Sequence, residues 1–94
     1  MKGAIILMAF YEAISKDARI GATHISLYMA LFHKCGLKYF ESPVAFTSYE
    51  IMPMAKIDSR ATYHKCLRDL AEYGYIRYIP SCNPFSKSVA FLEA

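Results

Sequence analysis

Residues 57–79 read IDSRATYHKCLRDLAEYGYIRYI, and the fold turns on how this stretch is parsed. Ser59 has the short, oxygen-bearing side chain that satisfies the orphan backbone N–H groups at a helix start. From there Tyr63, Cys66, Leu67, Leu70 and Ala71 recur within one arc of roughly 140°, which makes that arc the core face. Lys65 lies opposite, between Ala61 and Thr62, with Arg68 one turn on, and no acid interrupts residues 59–68. Gly74 stands where a helix is commonly closed by a residue free to turn left-handed. Beyond it Tyr75, Ile76, Arg77, Tyr78 and Ile79 change the period to two, a strand with Arg77 outward. The helix is thus expected to bury one side and to present small and basic residues on the other, at its electropositive end.

Working outward, residues 56–58 form a tight turn that joins this helix to a shorter one. Thr47 or Ser48 caps the shorter helix, Glu50 occupies the capping-box position relative to Thr47, and Ile51, Met54 and Ala55 are apolar. Pro53 in its middle predicts a helix of about residues 49–55 with an irregular start, because proline is best tolerated in a first turn. Residues 44–46 are long enough only for a small edge strand, after a loop over residues 37–43. Earlier still, Thr23 is the expected cap of a helix in which Ile25, Tyr28, Met29, Leu31 and Phe32 recur until Cys35 and Gly36. Downstream, residues 88–92 return as the second strand of a hairpin across a long connection, residues 80–87. The fold class expected is α+β.

Residues 4–11 are apolar on nearly every side and imitate a secretory leader. Glu12, Lys16 and Asp17 follow too soon, no small-residue cleavage site is in place, and the run falls far short of the roughly 20 residues that cross a bilayer. It reads as a helix that needs burial all round, by the domain core or by a second copy. The organisation expected is an N-terminal helix in residues 1–20, packing or dimerising, ahead of a domain over residues 21–94. With 94 residues, 55% hydrophobic and 20% charged, the chain makes one folded unit and excludes disorder and a multidomain enzyme. Eight Tyr, six Phe and five Met exceed what so short a chain buries, which suggests a face kept for a partner. A net charge of +3 does not by itself argue for a polyanion. Cys35, Cys66 and Cys82 are odd in number and lack paired spacing, which fits a reducing cytosol without structural bridges.

The order helix, short strand, short helix, turn, long helix, strand, long loop, strand resembles the winged helix-turn-helix DNA-binding domain over about residues 23–92. In that pattern a Ser-Arg-Ala-Thr start opens the recognition helix, Leu-x-x-Leu packs it, and a Gly leads into the wing, as Ser59–Thr62, Leu67–Leu70 and Gly74 do here. HISLYMALF at residues 24–32 and YIPSCNPF at residues 78–85 are also similar to small winged helices of bacterial mobile elements, phage-type replication proteins included. The resemblance implies that Ser59, Arg60, Thr62 and Lys65 face the major groove and that Ser48 or Tyr49 touches the backbone. It further implies that Ser86 and Lys87 of the wing meet phosphates or the minor groove and that Arg77 supports the adjacent backbone. Arg68 completes the basic face. By helical wheel Thr62 and Lys65 suit the groove, whereas Arg60 and His64 lie at its border.

The function this implies is sequence-selective binding of double-stranded DNA in the cytoplasm, without catalysis, in transcriptional control or in mobile-element replication or excision. The competing reading is a winged-helix adaptor that docks another replication or regulatory protein. Only Lys87 is cationic in the wing, and residues 47–94 hold six Lys or Arg against five Asp or Glu, so few phosphate contacts are expected per copy and a homodimer is implied. His33-Lys34-Cys35 recurs as His64-Lys65-Cys66, but residues i and i+2 of a helix point about 200° apart and cannot grip one metal ion. His24 and His64 read as ordinary surface or half-buried groups and Cys66 as core. No nucleophile–base–carboxylate set and no glycine-rich phosphate loop occurs, so no enzyme, cofactor, metal site or membrane association is expected.

Overall fold

The computed structural model describes residues 2–36, 43–80 and 87–92. In chain order these form α1 (Lys2–Ile14), α2 (Ala22–Gly36), β1 (Val44–Phe46), α3 (Ser48–Ala55), α4 (Arg60–Glu72), β2 (Ile76–Ile79) and β3 (Ser88–Leu92). The protein is therefore α+β, four helices with a three-stranded antiparallel sheet in the order β1-β3-β2. β3 is the central strand, and its Ala90 faces both Val44 and Tyr78. No helix of the described residues is long and apolar enough to cross a membrane.

Period-two alternation places Val44, Phe46, Ile76 and Ala90 on the buried side of the sheet and leaves Ala45, Arg77 and Ile79 exposed. The inner arc of α4 meets that layer as expected: Tyr63, Cys66, Leu67 and Leu70 are buried, and Ala71 is half-buried. α4 packs on α2 and β2, and α2 also packs on α3, so Leu27, Leu31, Ile51 and Phe46 share one core. Ser59 caps α4 through its hydroxyl, which accepts from the Thr62 N–H at 3.2 Å. Tyr73 follows the last turn, and Gly74 takes the left-handed conformation, φ +86°, that lets the chain reverse into β2.

Three local expectations change. The cap of α2 is Gly21 rather than Thr23: the Ile25 N–H bonds to the Gly21 carbonyl, and His24 in the third helical position accepts the Gly21 N–H on Nδ1 at 3.0 Å. A histidine here does the reciprocal half of a capping box. α3 starts regularly at Ser48, with the full box between Thr47 and Glu50, so Pro53 sits in the second turn. The carbonyl it leaves without a donor is that of Tyr49, a residue 79% exposed, where solvent can reach it. α3 ends on Lys56 at φ 60°, a conformation usually given to glycine.

The third change concerns α1, which is buried on one side only. Phe10 is fully buried, stacked on Tyr28 at 3.7 Å between ring centroids and meeting Tyr75 edge-on at 5.5 Å, while Ile6, Ala13 and Ile14 pack at the core's margin. Ile5, Met8 and Tyr11 point outward. The following turn is pinned by Asp17, which accepts from the Tyr75 hydroxyl and from Arg19, whose guanidinium lies 3.8 Å from the centre of the Tyr73 ring. Phe10 thus seats α1, and the outward residues contribute little. Phe10→Ala is expected to lower unfolding free energy by about 3–5 kcal/mol in urea titrations, against less than about 0.5 kcal/mol for Met8→Ala at low protein concentration. Equal effects would mean that α1 is not held by its aromatic contact.

Candidate nucleic-acid interface

The outward surface of α4 is open over its first three turns. Arg60, Ala61, Thr62, His64, Lys65 and Arg68 are all exposed, as is the cap Ser59. This follows from rotation: once residues 63, 66, 67 and 70 are inside, the intervening ones must be outside. Arg68 makes no ion pair among the described residues.

Arg60 is the residue whose placement differs most from the helical wheel. It is exposed, donates from Nη1 to the Ser48 hydroxyl at 3.2 Å, and lies 5.0 Å from the centre of the Tyr49 ring. The start of α4 is thereby joined to the start of α3. Ser48, Tyr49 and Arg60 form one cluster and, with Met52, Pro53, Ile57 and Asp58, line a groove of about 400 Å³. A guanidinium held over an aromatic face keeps its charge while losing side-chain freedom, which favours a contact with an anion at that spot.

Two cations in the reading above already have carboxylate partners. Lys65 donates to Asp69 Oδ2 at 3.0 Å, one turn along α4. That oxygen is also 2.9 Å from Nε2 of His24. Because Nδ1 of His24 accepts the Gly21 N–H, the ring proton lies on Nε2 and is donated to Asp69. His24, expected as an ordinary surface or half-buried group, is instead buried and holds two specific partners. Asp69 is held below the usual carboxylate range, first by His24 and then by Lys65, and Lys65 is pushed up by Asp69.

Lys87 pairs with Glu50 at 3.6 Å, and Lys34 donates to the same carboxylate. Glu50 also accepts the Thr47 N–H at 3.0 Å, so one side chain ties the end of α2, the cap of α3 and the entry to β3. Lys34 above all, with Thr47 and Lys87, lowers its pKa to about 2. Arg77 is exposed on the outward side of the sheet, 4.5 Å from the centre of the Phe91 ring. Ser86 and the wing residues 81–85 lie outside the described residues.

The sequence reading missed Lys34, His24, Glu50 and Asp69 as parts of this surface. Lys65 and Asp69 at i and i+4 were visible as a pair, whereas His24–Asp69 and Lys34–Glu50 span 45 and 16 residues and need the tertiary fold. Among the described residues no group of three or more His, Cys, Asp or Glu comes together as a metal site. Burial raises the thiols of Cys35 and Cys66, which makes them poor nucleophiles, and raises the Tyr63 hydroxyl to about 12.

Comparison with protein-family models, with curated proteins and with solved structures returned no match, so the functional reading rests on the chain's own residues. The carboxylates give a pH test. A carboxylate whose folded pKa is depressed adds stability that is fully present above its unfolded value, near 4.3 for Glu, and is lost as the pH falls through the folded value. The stability difference between wild type and Glu50→Gln should therefore be constant above about pH 5 and shrink toward zero as the pH approaches 2. Urea midpoints across that range check it; a difference that does not change with pH would show that Glu50 acts through packing.

Proposed function

We propose that the protein is a winged helix-turn-helix domain that binds double-stranded DNA without catalysis, α4 entering the major groove and the β2–β3 loop acting as the wing. The observation that supports this reading most is the uncovered outer side of α4, where a hydrogen-bonding Thr62 and the cations Lys65 and Arg68 stand clear of α1. A helix bearing short polar and cationic side chains on its exposed first turns fits a groove about 12 Å wide and can address base edges there. Ser59, Arg60, Ser48 and Tyr49, gathered where the starts of α3 and α4 meet, suit phosphate contacts that set the register of the helix. Lys87, Ser86 and Arg77 serve the flank, where Lys87 must exchange Glu50 for a phosphate. A cytoplasmic role in transcriptional control or in mobile-element replication or excision is the setting this reading implies.

The charge balance of +1 over residues 47–94 limits each copy to few phosphate contacts, which favours a two-fold dimer on two half-sites. The outward side of α1, with Ile5, Met8 and Tyr11 exposed, is the apolar surface a second copy would cover. In sedimentation at tens of micromolar the wild type is expected at twice the monomer mass and Met8→Glu at the monomer mass; a monomeric wild type removes the dimer from the reading.

The DNA test is a titration of labelled duplex at several salt concentrations. Binding should weaken steeply with salt, Lys65→Glu should cost at least about tenfold, and Arg68→Ala should reduce the slope of log K against log salt by about 0.9. Thr62→Ala should leave the salt slope unchanged and relax discrimination between duplexes. Absence of salt-dependent binding, or indifference to Lys65→Glu, favours the adaptor reading, for which the exposed Tyr49 and its apolar groove offer a protein-docking surface.

A further inference from the structure

We infer that Asp69 is a specificity-determining positioning residue for the DNA-binding surface: it holds the Lys65 ammonium at the third turn of α4 and withholds it from indiscriminate phosphate contact. The inference rests on the DNA reading above and adds to it a residue with no contact to DNA. A single oxygen, Oδ2, receives both Lys65 Nζ at 3.0 Å and His24 Nε2 at 2.9 Å. His24 is itself locked by the Gly21 N–H on Nδ1, so the carboxylate is aimed from the α2 start and does not follow the lysine as a free surface pair would. The side-chain exposures show the asymmetry: Asp69 is 15% exposed and His24 10%, whereas Lys65 is 67% exposed. The acceptor is fixed and the donor is free to leave.

A lysine in this position has two alternatives when duplex DNA arrives. A phosphate is a diffuse anionic competitor available on every sequence, and Asp69 opposes it both by occupying Lys65 and by repelling the phosphate. A guanine edge in the groove offers two directed acceptors at a distance the long side chain reaches only when the helix is seated. Asp69 thus weakens binding to any duplex more than binding to a correctly seated one. Asp69 and Glu72 are the acids of α4 itself, and among the described residues only Asp69 is bonded to the basic face.

The test uses the full chain with a mixed-sequence duplex, comparing wild type, Asp69→Asn, Lys65→Gln and the double variant. Asparagine keeps an acceptor for His24 Nε2 and removes only the charge, and thermal unfolding checks that each variant folds. Asp69→Asn is expected to bind about fivefold tighter at about 50 mM salt, with a slope of log K against log salt steeper by about 0.9. In the Lys65→Gln background most of that gain should vanish. Binding by the wild type with no gain in Asp69→Asn, or an equal gain without Lys65, overturns this inference alone. No salt-dependent binding by any folded variant overturns the DNA reading itself and this inference with it.

Discussion

The rotation of α4 about its own axis is the constraint on which the rest depends. A helix of 13 residues is marginal alone in water, so it exists here because Tyr63, Cys66, Leu67 and Leu70 are buried against α2 and the sheet. The same burial sets which residues look outward, since a slip of one position turns the helix by about 100° and would put Lys65 into the core. Ser59 at one end and Gly74 at the other stop the helix from extending past the packed arc. The surface read as functional is therefore a by-product of packing, and it is as rigid as the packing beneath it.

Electrostatics on that surface are arranged pair by pair. Glu50 answers Lys34 and Lys87, Asp69 answers Lys65, and Asp17 answers Arg19. Arg60 leans on a hydroxyl and an aromatic ring, neither of which neutralises it. Among the described residues the cations consequently do not form one patch but stand singly or in pairs with a carboxylate. In the Arg19–Asp17 and Lys65–Asp69 pairs the cation is exposed and the carboxylate largely covered, which makes the carboxylates, rather than the cations themselves, the natural points of control. A polyanion meeting such a surface gains contacts by substitution, and the gain is modest at each one.

The periodic parts of the fold were legible from local rules. The change of period at Gly74, the arc from Tyr63 to Leu70 and the box between Thr47 and Glu50 are all written within a few residues of each other, and each took its expected form. Three features were not legible because they rest on partners far along the chain. His24 looked like an ordinary polar residue until Gly21 and Asp69 closed on its two nitrogens. Arg60 lay at the border of the outward side on the wheel because a wheel contains no neighbouring helix; the Ser48 hydroxyl and the Tyr49 ring draw it across to α3. The apolar run of α1 was equally ambiguous, because composition counts hydrophobic residues without saying that Phe10 alone would find a ring to stack on.

The placement of α1 bears on how two copies would share one duplex. The turn between α1 and α2 is tied to the far end of α4 and the start of β2 by Asp17 on Tyr75, by Arg19 over Tyr73 and by His24 on Asp69. Phe10 stacks on Tyr28 and meets Tyr75 edge-on, which fastens the C-terminal half of α1 to the same region. A dimer made through the outward side of a freely hinged helix would let its two reading surfaces wander and would tolerate many half-site separations. A dimer made through a helix fastened in this way fixes their separation, and half-site spacing then becomes part of what is recognised. In such a dimer the polar seam around Asp17 and Asp69 would convert an apolar contact between copies into a geometric requirement on DNA.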